Sequence, residues 1–251
     1  MQDVKDINAI QRSFKRREKK FLLDASQYDL LWSRINSRLL ADVYGRTIVM
    51  SIYFDNDNYE LFSKSADKPN YKEKFRLRCY GIPTDDSTVF AEIKKKYDGI
   101  VYKRRIEGRY QDILDMMSGR CELPHDVQIQ KEILWMKRRY SLEPKAFIGY
   151  DRDAYTCPSD PGLRVTFDSN IRYRLNDLDL RSGDYGDLLI DKDFRLMEVK
   201  APGNLPLWFS EALTACGIHS GSFSKIGTCY KEIIIPGLRS GSENERRLKN
   251  A

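Results

Sequence analysis

The sequence predicts an α+β fold: an antiparallel β-barrel with a polar, basic lumen and flanking helices. Six segments alternate charged or polar residues with mostly apolar ones at a period of two, the mark of antiparallel strands with two chemically different faces. Other segments repeat apolar residues at helical spacing behind a capping residue or a proline. The charged strand positions also draw on a narrow vocabulary of Arg, Lys and a single Glu, where an ordinary solvated face mixes Thr, Ser, Gln and both signs of charge. If helices cover the apolar faces, the sheet must curl until its charged faces look at one another.

In chain order, residues 16–23 form the first strand, and Ser26 caps a helix carrying Leu30, Leu31, Ile35 and Leu39. A short helix covers 58–66. Residues 71–80 form a strand with Lys72, Lys74, Arg76 and Arg78 on one face and Phe75, Leu77 and Cys79 on the other. In 89–96, Glu92, Lys94 and Lys96 oppose Ala91 and Ile93, and 100–106 is the next strand. A short helix covers 111–117, and Asp126 caps one carrying Ile129, Ile133, Leu134 and Met136. In 163–173, Arg164, Asp168 and Arg172 oppose Val165, Phe167 and Ile171; in 194–200, Glu198 and Lys200 oppose Met197 and Val199. Pro206 opens the last helix, with Leu207, Phe209, Leu213 and Cys216, and Gly217 closes it.

The 251 residues show no proline- or glycine-rich linker, so one domain over 14–238 is expected, after a lead-in at 1–13 and before a disordered tail at 239–251. The first dozen residues lack the apolar core of a secretory signal, and the longest strongly apolar stretch, Ile233 to Ile235, falls far short of the ~20 residues that cross a bilayer. A cytoplasmic protein without a membrane segment is therefore expected. Its five cysteines, Cys79, Cys121, Cys157, Cys216 and Cys229, have no metal or redox spacing and read as reduced thiols. Two histidines, His125 and His219, exclude a multi-His zinc site. The formal charge of +6 permits an anionic partner without requiring nucleic acid, and cations on strands rather than on a tail or helix speak against nucleic acid.

The triplet Glu-x-Lys recurs as Glu18-Lys19-Lys20, Glu92-Ile93-Lys94 and Glu198-Val199-Lys200, each with two charges on one side of a strand. A face with so many cations repels itself unless an anion sits against it, so removing Arg76 or Arg78 should relieve strain in the free protein. Phosphates demand such residues, Arg as a fork and Lys as a point charge. The interspersed carboxylates suit a hard divalent cation shared with substrate phosphates. Phosphoryl transfer needs positioning and charge neutralisation more than histidine.

The stretches Phe14-Lys15-Arg16-Arg17-Glu18-Lys19-Lys20-Phe21, Phe75-Arg76-Leu77-Arg78-Cys79-Tyr80-Gly81, Ala91-Glu92-Ile93-Lys94, Gly149-Tyr150-Asp151-Arg152-Asp153-Ala154-Tyr155, Met197-Glu198-Val199-Lys200 and Phe223-Ser224-Lys225 occur in an order that resembles the VTC domain. This is the polyphosphate polymerase module of the vacuolar transporter chaperone complex. The resemblance implies a triphosphate tunnel metalloenzyme fold of the CYTH-like superfamily. It also implies transfer of the ATP γ-phosphoryl group to a growing inorganic polyphosphate chain, with Mn2+ or Mg2+. On matching positions it implies that Lys20, Arg76, Arg78, Lys94, Lys103, Arg105, Arg152, Arg164, Lys200 and Lys225 hold phosphates. Glu198, helped by Glu18 and Glu92, would hold metal, with Arg76, Arg78, Lys94, Arg152 and Glu198 as the catalytic set. Two positions depart from related patterns. Arg16 stands where tunnel triphosphatases and class IV adenylate cyclases carry the first Glu of Glu-x-Glu-x-Lys, which favours the polymerase branch. Ser222 stands where eukaryotic polymerases carry a further Lys. No inositol-pyrophosphate-sensing SPX module or membrane helix accompanies these motifs, as expected of a stand-alone bacterial-type domain. Hydrolysis of tripolyphosphate or nucleoside triphosphates, or non-catalytic polyphosphate binding, are the alternatives.

Overall fold

The computed structural model describes residues 17–240 apart from 68 and 99. The lead-in at 1–13, residues 14–16 of the first motif and residues 241–251 of the expected tail lie outside them. Arg239 and Ser240, assigned above to that tail, instead end a helical stretch. The strands are β1 (Arg17–Leu23), β2 (Leu40–Asp55), β3 (Tyr71–Tyr80), β4 (Thr88–Tyr97), β5 (Ile100–Arg109), β6 (Glu143–Cys157), β7 (Asp160–Arg174), β8 (Asp187–Leu188) and β9 (Arg195–Ala201). The helices are α1 (Ala25–Ile35), α2 (Glu60–Asp67), α3 (Tyr110–Met117), α4 (Val127–Tyr140), α5 (Leu207–Ala215) and α6 (Lys225–Cys229), the last continued by a π turn at Tyr230–Ile234. Hydrogen bonding follows the path β1-β9-β7-β6-β2-β3-β4-β5, with β8 on β7, and every pairing with a recorded register is antiparallel. The predicted antiparallel sheet with flanking helices is thus the observed fold. The sequence reading omitted β2, β6 and β8.

The chain groups into two compact units. Among the described residues the first comprises 17–46, Arg152–Ser169 and Asp193–Ser222. Here β1, β9 and β7 turn Phe21, Leu23, Met197, Val199, Val165 and Phe167 toward Leu31 and Ile35 of α1 and Phe209 and Leu213 of α5 in one buried cluster. The N-cap of α1 is Asp24, not Ser26: its carboxylate accepts from the Gln27 amide at 2.8 Å while the Gln27 side chain accepts from the Asp24 amide, a reciprocal capping box. Pro206 and Gly217 bracket α5 as expected, Gly217 taking the left-handed conformation (φ +62°) that a side chain disfavours.

Among the described residues the second unit comprises Thr47–Asp151, Asn170–Lys192 and 223–240. Phe75, Leu77, Val89, Ala91, Ile93 and Ile106 from β3, β4 and β5 form a core with Ile113 and Met116 of α3 and Ile133 and Met136 of α4. Asp126 stands at the N-cap of α4 with a left-handed backbone, but its side chain makes no capping bond, and its carbonyl receives the Ile129 and Gln130 amides instead. Asp55, fully buried at the end of β2, accepts the amides of Leu61 and Phe62 at 3.0 and 2.7 Å and so anchors the start of α2.

Candidate functional site

In the first unit, β1 and β9 pair so that Glu18 stands opposite Lys200 and Lys20 opposite Glu198. The two Glu-x-Lys triplets therefore run head to tail, each glutamate facing the other triplet's lysine. Lys20 Nζ lies 2.9 Å from Glu198 Oε1 and 3.6 Å from Glu18 Oε1, and Lys200 Nζ lies 3.7 Å from Glu18 Oε2. On β7, Arg164 pairs across from Lys200 and reaches the Asp42 carboxylate at 2.6 Å. Arg152 of β6 donates Nε and Nη2 to the two oxygens of Asp168 at 2.6 and 2.8 Å, with Nη2 3.5 Å from Glu198 Oε2. The structure thus brings Glu18, Lys20, Arg152, Glu198 and Lys200 into one network. Arg164 is half exposed beside Asp42.

The second unit carries a larger array. Strand register sets Arg76, Glu92 and Arg105 in one row across β3, β4 and β5, and Lys74, Lys94 and Lys103 in the next. Glu92, 3% exposed, is the hub. Its Oε2 receives Arg76 Nη2 at 2.7 Å, Arg78 Nε is 4.0 Å away, and Lys103 contacts Oε1. Burial alone would raise the Glu92 carboxyl, but Arg76, Arg78 and Lys103 overcome it and bring it down to about 2. Arg76 also donates from Nη1 to the Tyr53 hydroxyl at 2.7 Å, and Arg78 from Nη2 to the Tyr150 hydroxyl at 3.1 Å. Burial opposes ionisation of Tyr53, yet Arg76, Arg78 and Lys225 hold its phenol below the usual range.

Lys225 opens α6 and places its ammonium 4.2 Å from the Tyr150 ring centroid, a cation–π contact. The preceding residue, Ser224, caps that helix through the Gly227 amide at 3.1 Å and accepts from Lys74 Nζ at 2.9 Å. Lys94 is exposed between Lys74 and Lys103 on its neighbouring strands. Arg105 shares the row of Glu92, but its guanidinium stacks 4.7 Å from the Phe90 ring centroid and lines a shallow cavity of about 570 Å³ with Glu107, Arg109 and His125. The structure therefore gathers Arg76, Arg78, Lys103 and Lys225 around Glu92, Tyr53 and Tyr150. Tyr53 escaped the sequence reading because β2 shows no two-residue alternation near it. Ser224 had a signal in its place before a short helical segment.

The expectation that the cationic face repels itself needs correction. Each unit supplies its own carboxylates among the cations, and Arg76 is ion-paired with Glu92 rather than held apart from like charge alone. The same geometry bears on metal. Among the described residues, no three His, Cys, Asp or Glu side chains converge as a metal site. Glu92 is enclosed by three cations, and Glu18 and Glu198 each bridge two. These donors do not fit a resident metal centre built by the protein alone.

Fold and side-chain arrays together define an α+β protein of the triphosphate tunnel type, with cations stitched by carboxylates along its polar strand faces. The chain belongs to the VTC domain family, whose model matches residues 15–234. It is 24% identical over 161 residues to vacuolar transporter chaperone complex subunit 4 of Trypanosoma brucei brucei, covering 53% of this chain and 20% of that protein. It is 22% identical over 157 residues to subunit 4 of Schizosaccharomyces pombe, covering 54% and 22%. The chain thus spans about a fifth of the length of these relatives. A solved structure, a putative adenylate cyclase from Bacillus halodurans, shares the fold with a TM-score of 0.50 at 12% identity, over 82% of this chain and 92% of the other.

Proposed function

We propose that this chain is a polyphosphate polymerase, transferring the γ-phosphoryl group of ATP to a growing inorganic polyphosphate chain. The observation that carries the reading is the lysine row Lys74, Lys94 and Lys103 beside the Arg76–Glu92 pair. Three ammonium groups set side by side in cross-strand register, one of them on the Glu92 carboxylate, form a linear array of positive charge that a linear polyanion matches. Membership of the VTC domain family, and relatives described as vacuolar transporter chaperone complex subunits, support it.

In this reading Arg76 and Arg78 grip non-bridging phosphate oxygens through their forks, Lys94, Lys103 and Lys225 neutralise charge, and Tyr53 and Tyr150 fix the two guanidiniums. Such positioning with charge neutralisation is what phosphoryl transfer requires of a protein. Lys20, Arg152, Arg164 and Lys200 act likewise in the other unit. A Mn2+ or Mg2+ ion accompanying the nucleotide phosphates would need only one or two protein carboxylates, which Glu198 with Glu18 would offer, and would supply further charge neutralisation. Among the described residues no helix is long and apolar enough to cross a membrane, and all five cysteines are free thiols, which supports the proposed cytoplasmic setting.

The test is incubation of the purified chain with ATP and Mn2+ or Mg2+, followed by sizing of the products on a gel. Long polyphosphate from the unaltered chain is expected, with at least about a 100-fold loss for Arg76→Ala and incomplete recovery in Arg76→Lys, because lysine lacks the fork. Orthophosphate without long chains would make the protein a hydrolase. Tripolyphosphate binding without turnover would make it a binding module.

A further inference from the structure

Asp168 is fully buried on β7 and grips a guanidinium with both of its oxygens. That guanidinium belongs to Arg152, whose side chain is 17% exposed and reaches toward Glu198. A buried ion pair contributes little net stability, because desolvation of both charges offsets their attraction. Its geometric effect is larger. Holding the Nε–Nη2 edge in a bidentate grip fixes the plane of the guanidinium and the direction of the Nη1–Nη2 edge that Asp168 does not grip. We propose that Asp168 is a positioning residue: it aims Arg152 so that its Nη1–Nη2 edge, whose Nη2 lies 3.5 Å from Glu198 Oε2 in the free protein, receives a phosphate of the chain substrate. This role rests on the phosphate-chain reading given above.

Calorimetric titration of the full chain with tripolyphosphate tests it, alongside urea denaturation of the ligand-free proteins. Asp168→Asn keeps the shape and one acceptor but loses the charged, two-point grip. Asp168→Glu keeps the charge and displaces the guanidinium by about 1.5 Å, one carbon–carbon bond. Both variants are expected to bind tripolyphosphate on the order of 10- to 100-fold more weakly, the scale of a misplaced binding group. In an Arg152→Ala background, Asp168→Asn should change affinity no further, since in this role the aspartate affects the phosphate through that arginine. A merely structural role would shift the urea midpoint and leave affinity unchanged in the folded protein.

Wild-type affinity in folded Asp168→Glu would overturn the proposal, even if Asp168→Asn failed to fold. Equal weakening by Asp168→Asn with and without Arg152 would overturn it too. If the unaltered chain bound no tripolyphosphate, the phosphate-chain reading itself would fall, a result distinct from either of these.

Discussion

Replacing Glu92 with Gln removes one negative charge from the centre of Arg76, Arg78 and Lys103 while keeping the side-chain shape. Its carboxyl lies at about 2 instead of the usual 4.5, and a displacement of that size corresponds to about 3 kcal/mol of stability at neutral pH. Because the folded value is depressed, this stability is fully present above 4.5 and drains away as pH falls from there through about 2. Glutamine cannot balance the cations, and its amide group turns donors toward donors. Urea denaturation at pH 7 should therefore show Glu92→Gln less stable by about 3 kcal/mol, a large share of the roughly 5–15 kcal/mol that holds a domain folded. The gap should narrow as pH is lowered toward 2, where the native glutamate also becomes neutral. Tripolyphosphate should restore the variant by more than it stabilises the unaltered protein, since it replaces the missing anion. A loss below about 1 kcal/mol, or one that stays constant with pH, would refute the role of Glu92 as the internal counter-ion.

Two further outcomes follow from packing. Cys121 is exposed while the other four cysteines are buried, and burial pushes the thiols of Cys79 and Cys229 up to about 12. A thiol-reactive chromophore at pH 8 should therefore label one cysteine quickly and reach five only in denaturant; intact-mass evidence of native disulfides would contradict this. Arg174 donates to the carbonyls of Asp177, Asp179, Gly183 and Tyr185, each at 2.9 Å, and lies 3.8 Å from the Phe147 ring centroid and 4.5 Å from that of Tyr185. Arg174→Lys loses most of these donors, so limited proteolysis should open the 175–187 loop and stability should fall by about 3 kcal/mol, measured by urea denaturation.

Strands with one charged face were legible in the sequence. In β3, Lys72, Lys74, Arg76 and Arg78 alternate with buried Phe75, Leu77 and Cys79, and the structure keeps that alternation in register with β4. Of the strands that escaped detection, β8 is only two residues long, and β2 and β6 lack alternation over their buried stretches. Val49 to Asp55 of β2 and Ala146 to Tyr150 of β6 are buried on both faces, so their period of two disappears. Charged residues of the site were likewise visible as members of a face, but their partners were not. Which carboxylate meets which cation depends on cross-strand register and on contacts such as Lys74 with Ser224, 150 residues apart.

The head-to-tail pairing of Glu18-x-Lys20 with Glu198-x-Lys200 also governs assembly. Strands so distant in sequence must find each other across a long closure, and nothing in a hairpin turn dictates their alignment. A slip of one residue would drive these charges into the apolar layer that holds Phe21 and Met197. A slip of two keeps the faces correct but sets Glu18 against Glu198 in one direction, or Lys20 against Lys200 in the other, and like charges directly opposite are repelled. Four side chains thereby proofread the β1–β9 seam of the sheet, rejecting both neighbouring alignments and accepting the native one.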